Sequence, residues 1–271
     1  MALTLKPVPP ARGLRWLRDG FALYAKRPLG FSAMFVVFLF AAIVAAIVPL
    51  AGSLLQMAML PLLSLGFMVA GQSALFGGPV KPTQFIEPLR GDPQRRMALL
   101  QLCLLYGACA LLILVLCDML SDGAMQRVQV LVAKGAPQKE IDAVLTEPGV
   151  AMAAFTGALL GTLLAVPFWH APALVHWGGQ RAAQALFSSS VAVWRSKGAF
   201  LLYGLGWTAL VLFFGLVTAL VFGLFGAAQF ASMLALPAGL VFSTVFYVSL
   251  LFTFNDSFGG GAAEAPPIES R

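Results

Sequence analysis

The side chains of this chain best equipped for chemistry lie in one short segment, Pro167-Phe-Trp-His-Ala-Pro-Ala-Leu-Val-His-Trp-Gly178. It holds both histidines, His170 and His176, each beside a tryptophan, Trp169 and Trp177, with Arg181 close behind. Imidazole can ligate a metal, move a proton or contact a headgroup. Six helical residues correspond to about 9 Å of rise and place the two rings on different faces. Pro172 between them is expected to kink the helix, which leaves their relation open. A metal site wants three or four ligands, and the three cysteines, Cys103, Cys109 and Cys117, fall together in a different apolar run. The pattern favours a structural role, interfacial or satisfied by a kinked-helix carbonyl. A ligand or headgroup contact through His170, His176, Trp169, Trp177 and Arg181 is the alternative, followed by metal binding or proton transfer.

Little else in the chain could act chemically. There is no Walker-type phosphate loop and no HExxH. Ser188-Ser189-Ser190 lacks a G-x-S-x-G setting and reads as the polar face of a helix. No carboxylate lies inside an expected span except Asp118 and Asp256, each at an end. A proton-coupled carrier usually needs an ionisable group inside a span. No catalytic residue, metal or cofactor is assigned.

These residues must be positioned by membrane helices. The 271-residue chain is 60% apolar and only 10% charged, against about 25% charged in soluble domains. Four stretches contain no Asp, Glu, Lys or Arg: Pro28–Val80, Met97–Cys117, Pro148–Gln180 and Gly198–Asn255. A charge at the centre of a span costs about 2.5–3.5 kcal/mol, and about 20 apolar residues cross the hydrocarbon. The expected fold is therefore all-α and polytopic, with six transmembrane helices near 30–49, 54–76, 97–118, 150–177, 199–225 and 229–254. Residues 1–29 form a basic amphipathic lead, 30–256 the membrane domain, and 257–271 a disordered tail. The basic lead is too long, and its apolar run too extended, for a cleavable signal.

Basic residues cluster before spans 1, 3 and 5, which puts both termini in the cytoplasm by the positive-inside rule. The basic pairs Lys26–Arg27, Arg95–Arg96 and Arg195/Lys197 recur at comparable intervals once the long loop is discounted. Together with Pro61, Pro167 and Pro237 in the even spans, this spacing suggests three degenerate repeats of an interfacial helix plus a helical hairpin. In the lead, Leu14, Leu17, Phe21 and Tyr24 share a face, as do Ala183, Phe187, Val191 and Trp194 later on. Such helices lie in the headgroup plane. Lys26, Arg27, Arg95, Arg96, Arg195 and Lys197 are the candidate contacts for anionic lipid headgroups. Gly157–Gly161 is a small-xxx-small pair suited to seating a neighbouring helix. The outer loop, 121–149, holds two short helices and is mildly acidic, so it reads as a solvated cap, with a partner or cation site as the alternative.

At Phe168–Trp177 the chain resembles an uncharacterised family of proteobacterial multi-pass inner-membrane proteins. Weaker matching stretches are Pro9–Trp16, Leu60–Phe67, Leu201–Leu205 and Phe252–Phe258. The resemblance implies a bacterial inner-membrane protein and carries no activity, substrate or catalytic residue. The expected partners are membrane lipids, anionic ones foremost, and no nucleic acid; a protein partner or homo-oligomer stays open. For function, a non-enzymatic protein that interacts with, senses or passes a lipid or small amphiphile leads. A subunit or assembly partner of an envelope complex comes second, then an intramembrane lipid-modifying enzyme.

Overall fold

Long apolar runs cross a bilayer only as helices or closed barrels, because hydrocarbon leaves no partner for a free backbone amide. The computed structural model describes residues 3–49, 51–224 and 228–259, and among them there are helices and turns but no strand. Six helical stretches are long and apolar enough to span a membrane. The chain is an all-α, six-span membrane protein.

The first hairpin is preceded by α1 (Arg12–Lys26) and consists of α2 (Pro28–Ala46) and a broken return, α3 (Gly52–Ala58) and α4 (Leu60–Leu75). Two 3₁₀ turns, Pro82–Phe85 and Glu87–Arg90, lead to α5 (Pro93–Leu120). The loop helices α6 (Ala124–Ala133) and α7 (Gln138–Leu145) come next. The second hairpin then returns as α8 (Pro148–Phe168) and α9 (Ala171–Gly178). A connecting helix, α10 (Ala182–Arg195), precedes the third hairpin, α11 (Lys197–Leu224) and α12 (Ala228–Ser257). Ser257 thus still belongs to α12, and residues 260–271 of the expected tail lie outside the described residues.

Prolines open several of these elements. Pro28, Pro61, Pro93, Pro148 and Pro172 all sit in a first helical turn, where the missing N–H costs nothing. Pro237 differs: α12 runs through it unbroken. At 28, 28 and 30 residues, α5, α11 and α12 reach about 42–45 Å at 1.5 Å per residue. They exceed a hydrocarbon core of about 30 Å, so their ends project into the headgroups.

The outer surface is apolar. Leu29 is 85% exposed and Phe155 69% exposed, and similar side chains lie exposed on α2, α5, α8, α11 and α12. Lipid must solvate them. The interior is built on aromatic and small residues around α12. Tyr247 stacks on Phe67 at 5.7 Å, and Phe85 from the first 3₁₀ turn packs edge-on to Phe67 at 5.7 Å.

The face that α1 buries differs from its apolar stripe. Gly13, Trp16, Gly20 and Leu23 are buried, while Leu14 is half exposed. Close approach decides this: a Cβ on Gly13 would lie 2.1 Å from the Ala199 carbonyl oxygen, and one on Gly20 2.6 Å from Ser249 Cβ. Helix α10 behaves alike. It buries Ala185, Ser189 and Ala192 and turns Phe187 and Trp194 outward, 71% and 72% exposed. In a bilayer the larger apolar side chains lose nothing by facing lipid, so small residues take the protein side.

Candidate functional site

The histidine segment is organised by a helix break. Pro172 has no N–H to give the Phe168 carbonyl, and α8 ends at Phe168 as proline at that position requires. In an unbroken helix the His170 N–H would bond the Val166 carbonyl. Here the Ser189 hydroxyl of α10 stands between them, accepting from His170 N–H at 3.0 Å and donating to Val166 O at 3.1 Å. Ser189 is therefore a buried wedge in the broken ladder. It does not lie on a polar helix face, the position that the triplet Ser188-Ser189-Ser190 suggests.

The His170 and Trp169 side chains both turn to Thr253 on α12. Thr253 Oγ1 lies 2.7 Å from the Leu250 carbonyl, 3.2 Å from Trp169 Nε1 and 3.2 Å from His170 Nε2. Its single hydrogen serves the shortest contact, so the oxygen accepts from both rings. That assigns the Nε2–H tautomer to His170 and leaves Nδ1 as an acceptor without a partner. The imidazole is fully buried and lies edge-on to Phe200, Phe254 and Phe258 at 5.4–5.9 Å. This arrangement holds three helices together.

His176 is half-buried on the rim, its ring 5.4 Å from that of Trp177, which packs on Phe254 at 5.1 Å. The two histidines do not share a site. Arg95 Nη1 donates to the His176 carbonyl at 3.1 Å, and Gly179 turns the chain out of α9 at φ +63°. Arg181 is exposed just before α10. Lys26, Arg27, Arg96, Arg195 and Lys197 are exposed with Arg95 on the side of the described termini, and Lys197 Nζ lies 5.1 Å over the Trp194 ring.

A second cluster joins the chain ends, which residue types alone did not pair. Asp256 accepts from Arg12 Nε at 2.7 Å, from Arg12 Nη2 at 2.9 Å and from Trp16 Nε1 at 2.6 Å. Upstream, Lys6 N–H bonds the Ser257 carbonyl at 2.9 Å, and Val8 N–H bonds Ser196 Oγ at 3.1 Å. The hydrogen bond to Asp256 raises the Arg12 pKa above its ordinary value, against the opposing effect of burial. A raised basic pKa supports the fold below the unfolded value and fails only at strong alkalinity, so this contribution stays constant through neutral pH.

At the opposite end of the spans, a groove of about 580 Å³ lies between α5 and α8. Its α5 wall is Leu111, Leu114, Val115 and Asp118, spaced as one helical face. Its α8 wall is narrow-sided: Val150, Ala153, Ala154, Gly157 and Ala158. Met125, Gln126 and Gln129 of α6 and Leu145 of α7 border the polar end. The Cys117 thiol donates to the Ala153 carbonyl at 3.4 Å and ties the two walls together. A Cβ on Gly157 would meet Cys117 Sγ at 3.0 Å, whereas one on Gly161 would meet nothing within 4 Å. Only the first of the two glycines seats a neighbour. Asp118 Oδ2 accepts from Gln126 Nε2 at 3.1 Å, and among the described residues no lysine or arginine lines the groove. No group of three or more His, Cys, Asp or Glu able to hold a metal occurs among the described residues.

No family model matches the chain, and no solved structure matches it. A protein of Burkholderia thailandensis named as a probable inner membrane protein is 33% identical over 267 residues, covering 98% of each chain.

Proposed function

Because the chain belongs to the same family as this inner membrane protein of Burkholderia thailandensis, we propose that it is a non-enzymatic membrane protein holding a lipid or comparable amphiphile between α5 and α8. The observation that carries this reading is the groove itself. Its walls are apolar along the spans, and its polar groups gather at one end, beside α6 and α7. Ligand sites of about 300–1,000 Å³ commonly combine apolar walls with a few polar groups that fix orientation. The long axis of an amphiphile suits such a gradient. The same reading gives the exposed basic residues on the opposite side a supporting role. There, Lys26, Arg27, Arg95, Arg96, Arg195 and Lys197 face anionic headgroups, each contributing about 1 kcal/mol near the surface. The imidazole of His170, closed in by phenylalanines and donating to Thr253, fits a structural post better than an acid or base.

The test is to purify the full chain in mild detergent and measure retained lipid by native mass spectrometry. Wild type should keep about one groove lipid per chain, beside any anionic lipid at the basic rim. Ala158→Phe, on the exposed α8 wall, should lose it, while Leu112→Phe on the outer face of α5 should not. Equal retention in all three would overturn the groove reading, and a near-stoichiometric protein partner would favour an assembly role. In the same measurement, Arg195→Gln with Lys197→Gln should lower additional bound anionic lipid and spare the groove lipid. No change would remove the rim from the proposal.

A further inference from the structure

We infer that the groove between α5 and α8 selects a phospholipid whose headgroup ends in an ammonium; this rests on the reading of the groove given above. Among the described residues, Asp118 at the polar end is the one Asp, Glu, Lys or Arg that lines the groove. One of its oxygens is held by Gln126 Nε2 at 3.1 Å, which leaves the other carboxylate oxygen for a ligand. The backbone around it is already committed. The Asp118 carbonyl accepts the Gly123 N–H at 3.0 Å and the Ser121 hydroxyl at 3.2 Å, so the backbone that carries the carboxylate is held at the helix end.

The cation nearest in sequence is not available to neutralise it. Arg127 is spent on the Glu147 carboxylate and the Asp122 carbonyl. The remaining polar lining consists of neutral donors, including the Gln126 and Gln129 amides and the Ser53 and Ser121 hydroxyls. Neutral donors accept a phosphodiester whatever alcohol it esterifies. The unbalanced negative charge then decides the headgroup: an ammonium is drawn to Asp118, and a headgroup with net negative charge is repelled. Small residues on the α8 wall leave room for acyl chains alongside.

The experiment uses full-length protein in nanodiscs made from equal parts of dioleoyl phosphatidylethanolamine and dioleoyl phosphatidylglycerol, with retained lipid read by native mass spectrometry. Counting only the lipid that Ala158→Phe removes, which leaves out anionic lipid held at the basic rim, wild type should retain the ethanolamine lipid by about tenfold over the glycerol lipid, the scale of one charge-assisted hydrogen bond. Asp118→Asn should bring that ratio near unity while total retained lipid stays the same. A second arm leaves the protein untouched: N-acetylation of the ethanolamine lipid removes its positive charge and should abolish the preference even if the variant misfolds. Equal retention of both lipids by wild type, or a preference that survives either change, overturns the ammonium inference. If those ratios are flat but Ala158→Phe still empties the groove, the groove binds amphiphiles without headgroup choice. If Ala158→Phe changes nothing, both the groove reading and this inference fall.

Discussion

Thr253 is the residue on which the histidine segment depends. It accepts from Trp169 Nε1 and His170 Nε2 while giving its own hydrogen to Leu250 O. Thr253→Val keeps the shape and strands one buried donor and one half-buried donor. An interhelical hydrogen bond in a membrane protein averages only about 0.6 kcal/mol, but unpaired buried donors cost about 1–3 kcal/mol. The expected loss is about 2 kcal/mol, read as a lowered unfolding temperature in detergent. Thr208→Val is the control, because its hydroxyl is exposed and bonds only the Gly204 carbonyl. Indistinguishable midpoints for the two variants would contradict the assignment. The sequence pointed to His170 and Trp169 because the two histidines, each beside a tryptophan, are the only ionisable side chains besides cysteine and tyrosine in the charge-free runs. It could not reveal Ser189 or Thr253. A helical serine or threonine ordinarily bonds back to its own turn, as Ser190 does to Leu186 O, and nothing local separates that case from a bond across helices. Asp118 and Asp256 were visible as span-end carboxylates, yet only the structure divides them into a groove terminus and a latch.

Between elements, the span positions were legible and the packing faces were not. Burying a charge in lipid is costly enough to mark where spans begin and end, and the six spanning stretches lie close to the charge-free runs. Which side of a helix meets protein is decided by close approach, which hydropathy does not record. Hence the Leu14, Leu17, Phe21 and Tyr24 stripe did not disclose that α1 closes on α11 and α12 through Gly13 and Gly20. The polar counterpart of that contact is Arg12 on α1 with Asp256 on α12, whose side chain keeps 25% of its exposure. Breaking a fully buried ion pair costs about 3–5 kcal/mol, whereas exposed pairs yield about 0–1 kcal/mol. The intermediate setting, with bidentate geometry, points to a coupling of about 1–2 kcal/mol. A double-mutant cycle of Arg12→Gln and Asp256→Asn measures it directly. The double variant should be less destabilised than the sum of the singles, and strictly additive losses would show that α1 is not latched this way.

For the whole molecule, two features run in the same direction across the bilayer. Even-numbered spanning brings the described parts of both termini to one side, where Lys6 pairs its backbone with Ser257. Arg127, Lys134 and Lys139 belong to the loop helices and their connection, while the other described lysines and arginines lie with the termini. Charge asymmetry of this kind sets orientation through the short loops flanking each span. The acidic residues around α6 and α7, Glu140, Asp142 and Glu147, contribute little to that rule. The groove opens beside α6 and α7, so orientation also decides which leaflet supplies its lipid. The basic side is expected to be cytoplasmic, with the groove facing the periplasmic leaflet. Reporter fusions decide the matter. Green fluorescent protein joined to the C-terminus should fluoresce, and alkaline phosphatase inserted between Gly135 and Ala136 should be active. Exchanging the two reporters should silence both. Active phosphatase at the C-terminus would reverse the topology and hand the groove to the cytoplasmic leaflet. The exposed arginines and lysines would then face the periplasmic leaflet instead of the cytoplasmic surface whose negative potential they are expected to meet, and the two halves of the functional reading would no longer belong to one membrane arrangement.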